Sequence, residues 1–136
     1  VNWKIDRLQY NPYIHDSHVE YSYVSKLFSA SSVIVNPEKY NDFSNNILHL
    51  KFFDALLSGR PVVSPSFTIL HEFINLGGKC SLYEPNNPRS LALAINNVLN
   101  NIDYFKNISK ENKNIVKEKY YYYNYFGPDL AEKLIC

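Results

Sequence analysis

The side chains best suited to binding chemistry are grouped in one segment, residues 44–64. It opens with three residues whose side chains accept hydrogen bonds from the free amides of a helix N-terminus, Ser44, Asn45 and Asn46. A mostly apolar run follows, in which Lys51, Asp54 and Ser58 recur at helical spacing on one face. Free amides and a helix dipole favour a phosphate group, and a carboxylate further along can accept hydrogen bonds from sugar hydroxyls. The pattern indicates a site for an anion and a sugar. The alternative is a capped helix on which Lys51 and Asp54 form an ion pair in water, because such a pair has the same spacing.

The same segment predicts the elements that hold these side chains. Residues 47–58 predict a largely buried helix, which Gly59 and Pro61 end. Val62 and Val63 then form a short strand without alternation, which is typical of a parallel strand covered on both faces.

Strands and helices alternate along the rest of the chain. Strands are predicted at residues 33–35 and 79–84, with a weaker one within residues 1–12; helices are predicted at 18–29, 69–76, 90–99, 103–120 and 129–135. This order predicts an α/β fold with a parallel sheet of about four strands flanked by helices. Asn36, Pro37 and Glu38 follow the strand at 33–35, so they and the loop to Asn46 are expected at the carboxyl edge of the sheet, where ligands collect.

Composition narrows the class of protein. At 136 residues the chain is long enough for one domain with its own core, and a net charge of +1 argues against nucleic acid as the main partner. No apolar run approaches the roughly 20 residues of a membrane span. Cys80 and Cys136 make no disulfide framework, and His15 and His18 have no partner at a metal-ligand spacing. Because the chain has no methionine, even at position 1, we expect a fragment of a longer protein.

The run from Lys51 to Ser64 resembles the K-x-x-E-A-x-A-x-G-x-P-V-V segment of GT-B glycosyltransferases of the group 1, family 4-like type. The similarity extends upstream through residues 27–37 and downstream through residues 71–78 and 90–99, and it covers roughly residues 15 to 100. The resemblance implies a Rossmann-like parallel sheet flanked by helices, one incomplete half of a GT-B fold. Residues 1–136 would then be a single domain, the C-terminal donor-binding part, without the N-terminal acceptor domain and without the start of its own sheet.

The resemblance also implies an activity, the transfer of a sugar from a nucleotide diphosphate sugar to an acceptor. The donor would be a UDP- or GDP-sugar and the acceptor a glycan or a lipid-linked molecule, as in polysaccharide biosynthesis, with no bound metal or other cofactor. The general base is expected on the absent half, so no catalytic residue is assigned and this piece is expected to bind the donor without turnover. The expected place is the cytoplasm, at the inner face of the membrane, with peripheral association through the absent domain.

By the same resemblance the donor-binding residues are Asn36, Ser44, Asn45, Asn46, Ile47, Lys51, Asp54, Arg60 and Glu72. The amides of residues 44–46 would hold the diphosphate, helped by Lys51 or Arg60, because charge develops on the leaving group. Arg60 fits equally well as a cation that complements the dipole at the helix end. Asp54 would bind the ribose hydroxyls, and Asn46 would contact the donor sugar. Glu72 resembles a family glutamate before a glycine pair, and it also fits an exposed helical position.

Two positions depart from the family pattern. The family commonly has two glutamates with seven residues between them, and this chain has Asn46 and Asp54 there. The departures leave two alternatives open. One is a non-catalytic, degenerate module that binds a partner through the tyrosine-rich run at residues 120–126. The other is a sugar-nucleotide epimerase of the same fold.

Overall fold

The computed structural model describes residues 19–47 and 49–120. Its elements in chain order are α1 (Tyr21–Ala30), β1 (Ile34–Val35), α2 (Asp42–Asn46), α3 (Leu50–Leu57), β2 (Val62–Pro65), α4 (Leu70–Asn75), β3 (Ser81–Tyr83), α5 (Pro88–Asn100) and α6 (Ile102–Lys119). The weak strand expected within residues 1–12, the helix expected at 129–135 and the tyrosine-rich run beyond Tyr120 lie outside the described residues.

The described strands form one parallel sheet in the order β1-β2-β3. Ile34 pairs with Val62 on one side of β2, and Val63 pairs with Ser81 on the other. All four residues of β2 are buried, as expected of a central parallel strand covered on both faces. The prediction of an α/β fold with a parallel sheet flanked by helices is therefore confirmed.

Successive strand residues point to opposite faces of the sheet, and each face has its own apolar core. On one face, Val62 lies in a buried cluster with residues of α3 and α4 and with Val116 near the end of α6. On the other face, Val63 and Tyr83 pack with residues of α5 and with Phe105 near the start of α6. The long helix α6 therefore passes from one face to the other and joins the two cores.

The contact between α6 and the loop before β3 is polar as well as apolar. Asn112 is 3% exposed; its side-chain oxygen accepts from the amide of Lys79 at 2.9 Å, and its nitrogen donates to the carbonyl of the same residue. Gly78 lies against the ring of the buried Phe73, so that a Cβ at this position would overlap the ring. Both contacts fix the entry of the chain into β3.

The central segment differs from its prediction at its start. The helix expected at residues 47–58 begins at Leu50, and the polar residues before it form the separate five-residue helix α2. Asn41 and Ser44 make a capping box at the start of α2: the Asn41 side chain accepts from the amide of Ser44 at 2.8 Å, and the Ser44 hydroxyl accepts from the amide of Asn41 at 3.0 Å. The extended conformation of Ile47 then ends α2. The other end agrees with the prediction, because Gly59 follows the helix with a φ of 71°.

None of the described helices combines the length and the apolar character that a membrane crossing requires.

Candidate functional site

Four titratable side chains gather at the carboxyl edge of the sheet, and we call them the edge cluster: Glu38, His49, Lys51 and Tyr83. Glu38 follows β1 and Tyr83 ends β3. The helix α3 connects two parallel strands, so its first residues lie at the edge where the strands end. His49 is the residue before α3, and Lys51 is in the first turn of this helix. The topology therefore places both residues beside the loops that follow β1 and β3.

The carboxylate of Glu38 is the centre of the cluster. Its Oε2 lies 2.6 Å from Nζ of Lys51 and 3.9 Å from Nδ1 of His49. The Glu38 side chain is 21% exposed, whereas that of Lys51 is 57% exposed. Nε2 of His49 lies 3.3 Å from the carbonyl oxygen of Ser44, and the imidazole also lies beside the ring of the buried Phe67. The carboxylate is thus shielded between its partners, while the ammonium group faces solvent.

Tyr83 holds the loop after β1 against the end of β3. Its hydroxyl donates to the carbonyl of Asn36 at 3.3 Å and accepts from the amide of Glu38 at 3.4 Å. Burial raises the pKa of the Tyr83 phenol, the charge of Glu38 also raises it, and the hydrogen bond from the Glu38 amide lowers it; the net direction is upward. The phenol therefore stays protonated at neutral pH and keeps both hydrogen bonds.

A cavity of about 470 Å³ adjoins the cluster, a volume in the range of small-molecule sites. Its wall combines the edge residues Glu38 and Tyr83 with apolar surface from Pro37, Pro88 and Leu91. Asn86 also lines it, in the left-handed region with a φ of 60°, and its side-chain oxygen accepts from the amide of Tyr40 at 3.3 Å. The cavity can hold a group with an apolar face and a polar rim.

Of the residues expected to bind a donor, Asn36 and Lys51 lie at this edge. Asn36 follows β1 and is buried; its amide donates to the carbonyl of Val63 at 2.9 Å. Ile47 ends α2 and is half-buried, just before the start of α3.

The amides of Ser44 and Asn45 are not available to a phosphate, which corrects the expectation for these two residues. The Ser44 amide donates to the side chain of Asn41, and the Asn45 amide donates to the carbonyl of the same residue at 2.9 Å. The Asn45 side chain is also engaged, because it donates to the Thr68 hydroxyl at 3.1 Å and accepts from the Thr68 amide at 2.9 Å. Asn46 is exposed, and its side chain donates to the carbonyl of Asp42 at 2.8 Å. These three residues build the loop beside the edge cluster.

Asp54 and Glu72 lie apart from the cluster. Asp54 is exposed on α3 and lines a different cavity, of about 480 Å³, with Ser25 of α1 and Lys113 of α6. Glu72 is exposed on α4. The predicted polar stripe of α3 is therefore present, but only its first member, Lys51, contacts the edge cluster.

Arg60, the alternative to Lys51 as the cation for the diphosphate, lies apart from the edge cluster. Lys51 is in the first turn of α3, whereas Arg60 lies beyond the last residue of this helix, which is about 12 Å long at 1.5 Å per residue. The Arg60 guanidinium donates to the carbonyl of Ser29 on α1, and it lines a cleft with the lysines of α6.

Sequence reasoning placed Glu38 at the edge without giving it a role, and it missed His49 and Tyr83. The signal for Glu38 and Tyr83 was their place just after β1 and at the end of β3. His49 carried no such signal, because the helix was expected to start before it.

Three exposed apolar residues flank the cluster, and we call them the edge patch: Tyr40, Phe43 and Leu50. Phe43 on α2 is 72% exposed, and Leu50 at the start of α3 is 81% exposed. Exposed apolar side chains mark a surface that binds a partner where they form one contiguous patch.

Within residues 19–47 and 49–120, no three His, Cys, Asp or Glu side chains are placed to share a metal ion. His15 and His18 lie outside these residues. The chain was also compared with protein-family models, with curated proteins and with solved structures, and none of the three comparisons found a match.

Proposed function

We propose that this chain is the donor-binding half of a GT-B glycosyltransferase and that it holds a nucleotide diphosphate sugar at the carboxyl edge of its sheet. The proposal starts from the resemblance of residues 51–64 to the group 1 segment. The order of strands and helices around a parallel sheet supports it, since such sheets bind nucleotides at this edge. The observation that carries it is the position of Lys51, an exposed cation in the first turn of α3, next to the wall of a cavity of about 470 Å³.

The diphosphate is proposed to lie at the start of α3. Among the described residues, no side chain caps this helix, so its positive dipole end and the Lys51 ammonium act on the same point. An ammonium has three donors, so that Lys51 can bind a phosphate oxygen while it stays in its ion pair with Glu38.

The remaining parts of the donor follow from this anchor. The sugar contacts His49 and Asn36, and the base occupies the cavity beside Tyr83. Asp54, the residue expected to bind the ribose hydroxyls, lines the other cavity with Ser25 and Lys113, so it has no role in this arrangement.

A ligand-observed NMR titration with the diphosphate sugars UDP-glucose, GDP-mannose and CDP-glucose tests the proposal. At least one of the three is expected to bind, and Lys51→Ala is expected to weaken that binding, whereas Asp54→Ala is expected to leave it unchanged because Asp54 lines another cavity. Lys26→Ala is the matched control, because Lys26 is an exposed lysine on α1. Failure of all three donors to bind, or binding that does not change in Lys51→Ala, contradicts the proposal.

A second candidate, a non-catalytic module that binds a protein partner, is favoured by the edge patch and by the occupied amides of Ser44 and Asn45. Under this alternative, Phe43→Ser and Leu50→Ser weaken the partner complex, and no sugar nucleotide binds. The donor titration separates the two candidates, because only the transferase requires a response that depends on Lys51.

A further inference from the structure

Four cations converge beyond the C-terminal end of α3, and we call their surface the basic cleft: Arg60, Lys106, Lys110 and Lys113. They line an open cleft of about 550 Å³, and none of them belongs to the edge cluster. The size of the cleft is in the range of small-molecule sites.

The sequence explains why these side chains meet. Lys106, Lys110 and Lys113 recur at spacings of four and three residues, which puts them on one face of α6. The turn at Gly59 brings Arg60 to that face; a Cβ at Gly59 would lie 3.7 Å from Cδ of Lys113. The loop after α3 and the long helix α6 are thus the two walls of the cleft.

Little in the described residues neutralises this charge. The cleft contains one carboxylate, Asp103, which lies 3.9 Å from Nζ of Lys106 and is 94% exposed. An exposed pair at that distance contributes little. Within residues 19–47 and 49–120, Lys110 and Lys113 have no ion-pair partner.

Such residues have two ordinary explanations. Lysines on an exposed helix face are hydrated, and a cation beyond the end of a helix complements the helix dipole. The C-terminal end of α3 carries roughly half a negative charge, which accounts for one of the four cations. The Arg60 guanidinium uses one of its five donors on the Ser29 carbonyl, so that the others remain for a ligand. The whole chain has a net charge of only +1, and four cations around one concave surface exceed what the helix end requires.

We propose that the basic cleft binds a phosphorylated anion, at a site separate from the edge cluster. An arginine fork with several lysines matches the geometry and charge of phosphate oxygens. The cleft is larger than a single phosphate and accommodates a diphosphate. The same chemistry is offered by a soluble phosphate compound and by the phosphate of a lipid headgroup.

Sodium pyrophosphate titrated into the ¹⁵N-labelled chain tests the soluble source. Saturable shifts are expected at the amides of Gly59, Arg60 and Lys110, and they weaken as salt is added. Lys110→Gln together with Lys113→Gln is expected to lower the affinity about tenfold, as hydrogen bonds to charged groups are lost. Both lysines lie at the surface of α6, and Arg60→Gln is a second variant that acts from the other wall.

Two controls keep this inference apart from the proposed function. Lys51→Ala leaves the shifts at the cleft unchanged, whether or not the edge cluster binds a donor. Lys26→Ala also leaves them unchanged, because its charge lies on α1.

Vesicles of phosphatidylcholine with and without phosphatidic acid test the lipid source by co-sedimentation. Binding of pyrophosphate at the cleft supports a soluble ligand. Binding only to the vesicles with phosphatidic acid, weakened by the double lysine variant, assigns the phosphate to a lipid. No response to either probe, or a response that the double variant does not weaken, overturns the proposal.

Discussion

Replacing Glu38 by glutamine is expected to raise the affinity of the chain for a nucleoside diphosphate. The carboxylate of Glu38 lies 2.6 Å from Nζ of Lys51, in a pair whose two side chains are 21% and 57% exposed. A pair with one partner this exposed contributes about 1 kcal/mol, which corresponds to a change in affinity of about fivefold. Glutamine keeps the shape of the side chain and removes the charge that competes with, and repels, a phosphate at Lys51.

Isothermal titration calorimetry with UDP and GDP, on the wild-type chain and on Glu38→Gln, measures this effect. The gain is expected to shrink with added salt, because the ammonium is open to solvent. Glu111→Gln is the control, since it removes an exposed glutamate of α6 and is expected to leave the affinity unchanged. An affinity that falls or stays equal in Glu38→Gln would refute the reasoning, because Glu38 would then not compete for the cation that binds the diphosphate.

Three further predictions concern the contacts that fix the sheet and its helices. Asn112→Ala is expected to lower the free energy of unfolding in urea by about 1–3 kcal/mol, because it leaves the amide and carbonyl of Lys79 without their buried partner. Gly78→Ala is expected to lower the thermal unfolding temperature, at a cost of about 1–3 kcal/mol, because the new Cβ overlaps the ring of Phe73. Burial raises the pKa of the Cys80 thiol from 9.0 to about 12, so that a disulfide reagent at pH near 9.0 is expected to label Cys80 only after unfolding. The neutral, buried thiol therefore makes its whole contribution to the free energy of unfolding below pH 9.0. This contribution is lost as the pH rises towards 12.

Each of these has a control. Asn107→Ala changes an exposed residue of the same helix, and a cost equal to that of Asn112→Ala would contradict the first prediction. Phe73→Leu frees space beside residue 78, so the double variant Phe73→Leu/Gly78→Ala should lose less stability than the sum of the losses in the two single variants. Fully additive losses would contradict the second prediction. Labelling is measured in a Cys136→Ser background, and native Cys80 reacting as fast as unfolded Cys80 would contradict the third.

The parts of the fold that depend on local chemistry could be predicted from the sequence. Gly59 and Pro61 end the central helix, and the Val62–Val63 run identifies a strand buried on both faces. The start of that helix could not be predicted, because a capping box of Asn41 and Ser44 starts a separate short helix just before it, in a loop of similar polar residues. Any of these residues could cap a helix, and only the folded loop decides which one does.

The site was predicted in part for the same reason. The position of Asn36 could be predicted because it follows a strand, and ligands collect at the carboxyl ends of parallel strands. The position of Lys51 could be predicted because it lies near the start of the helix that follows that strand. The Glu38–Lys51 contact joins residues from two separate elements, which periodicity within one element does not reveal. The separation of Lys51 from Arg60 could have been found from helix geometry alone, since the predicted helix runs on from Lys51 to residue 58, a rise of about 10.5 Å.

A backbone amide titration of the ¹⁵N-labelled chain with UDP-glucose and GDP-mannose measures whether Lys51, at the start of α3, binds the diphosphate of a donor. Saturable shifts are expected at the amides of Asn36, Glu38 and residues 50–52 with at least one donor, and these shifts are expected to be lost in Lys51→Ala. Amides that stay unchanged at all of these residues with both donors would contradict this role of Lys51, whether or not the basic cleft responds.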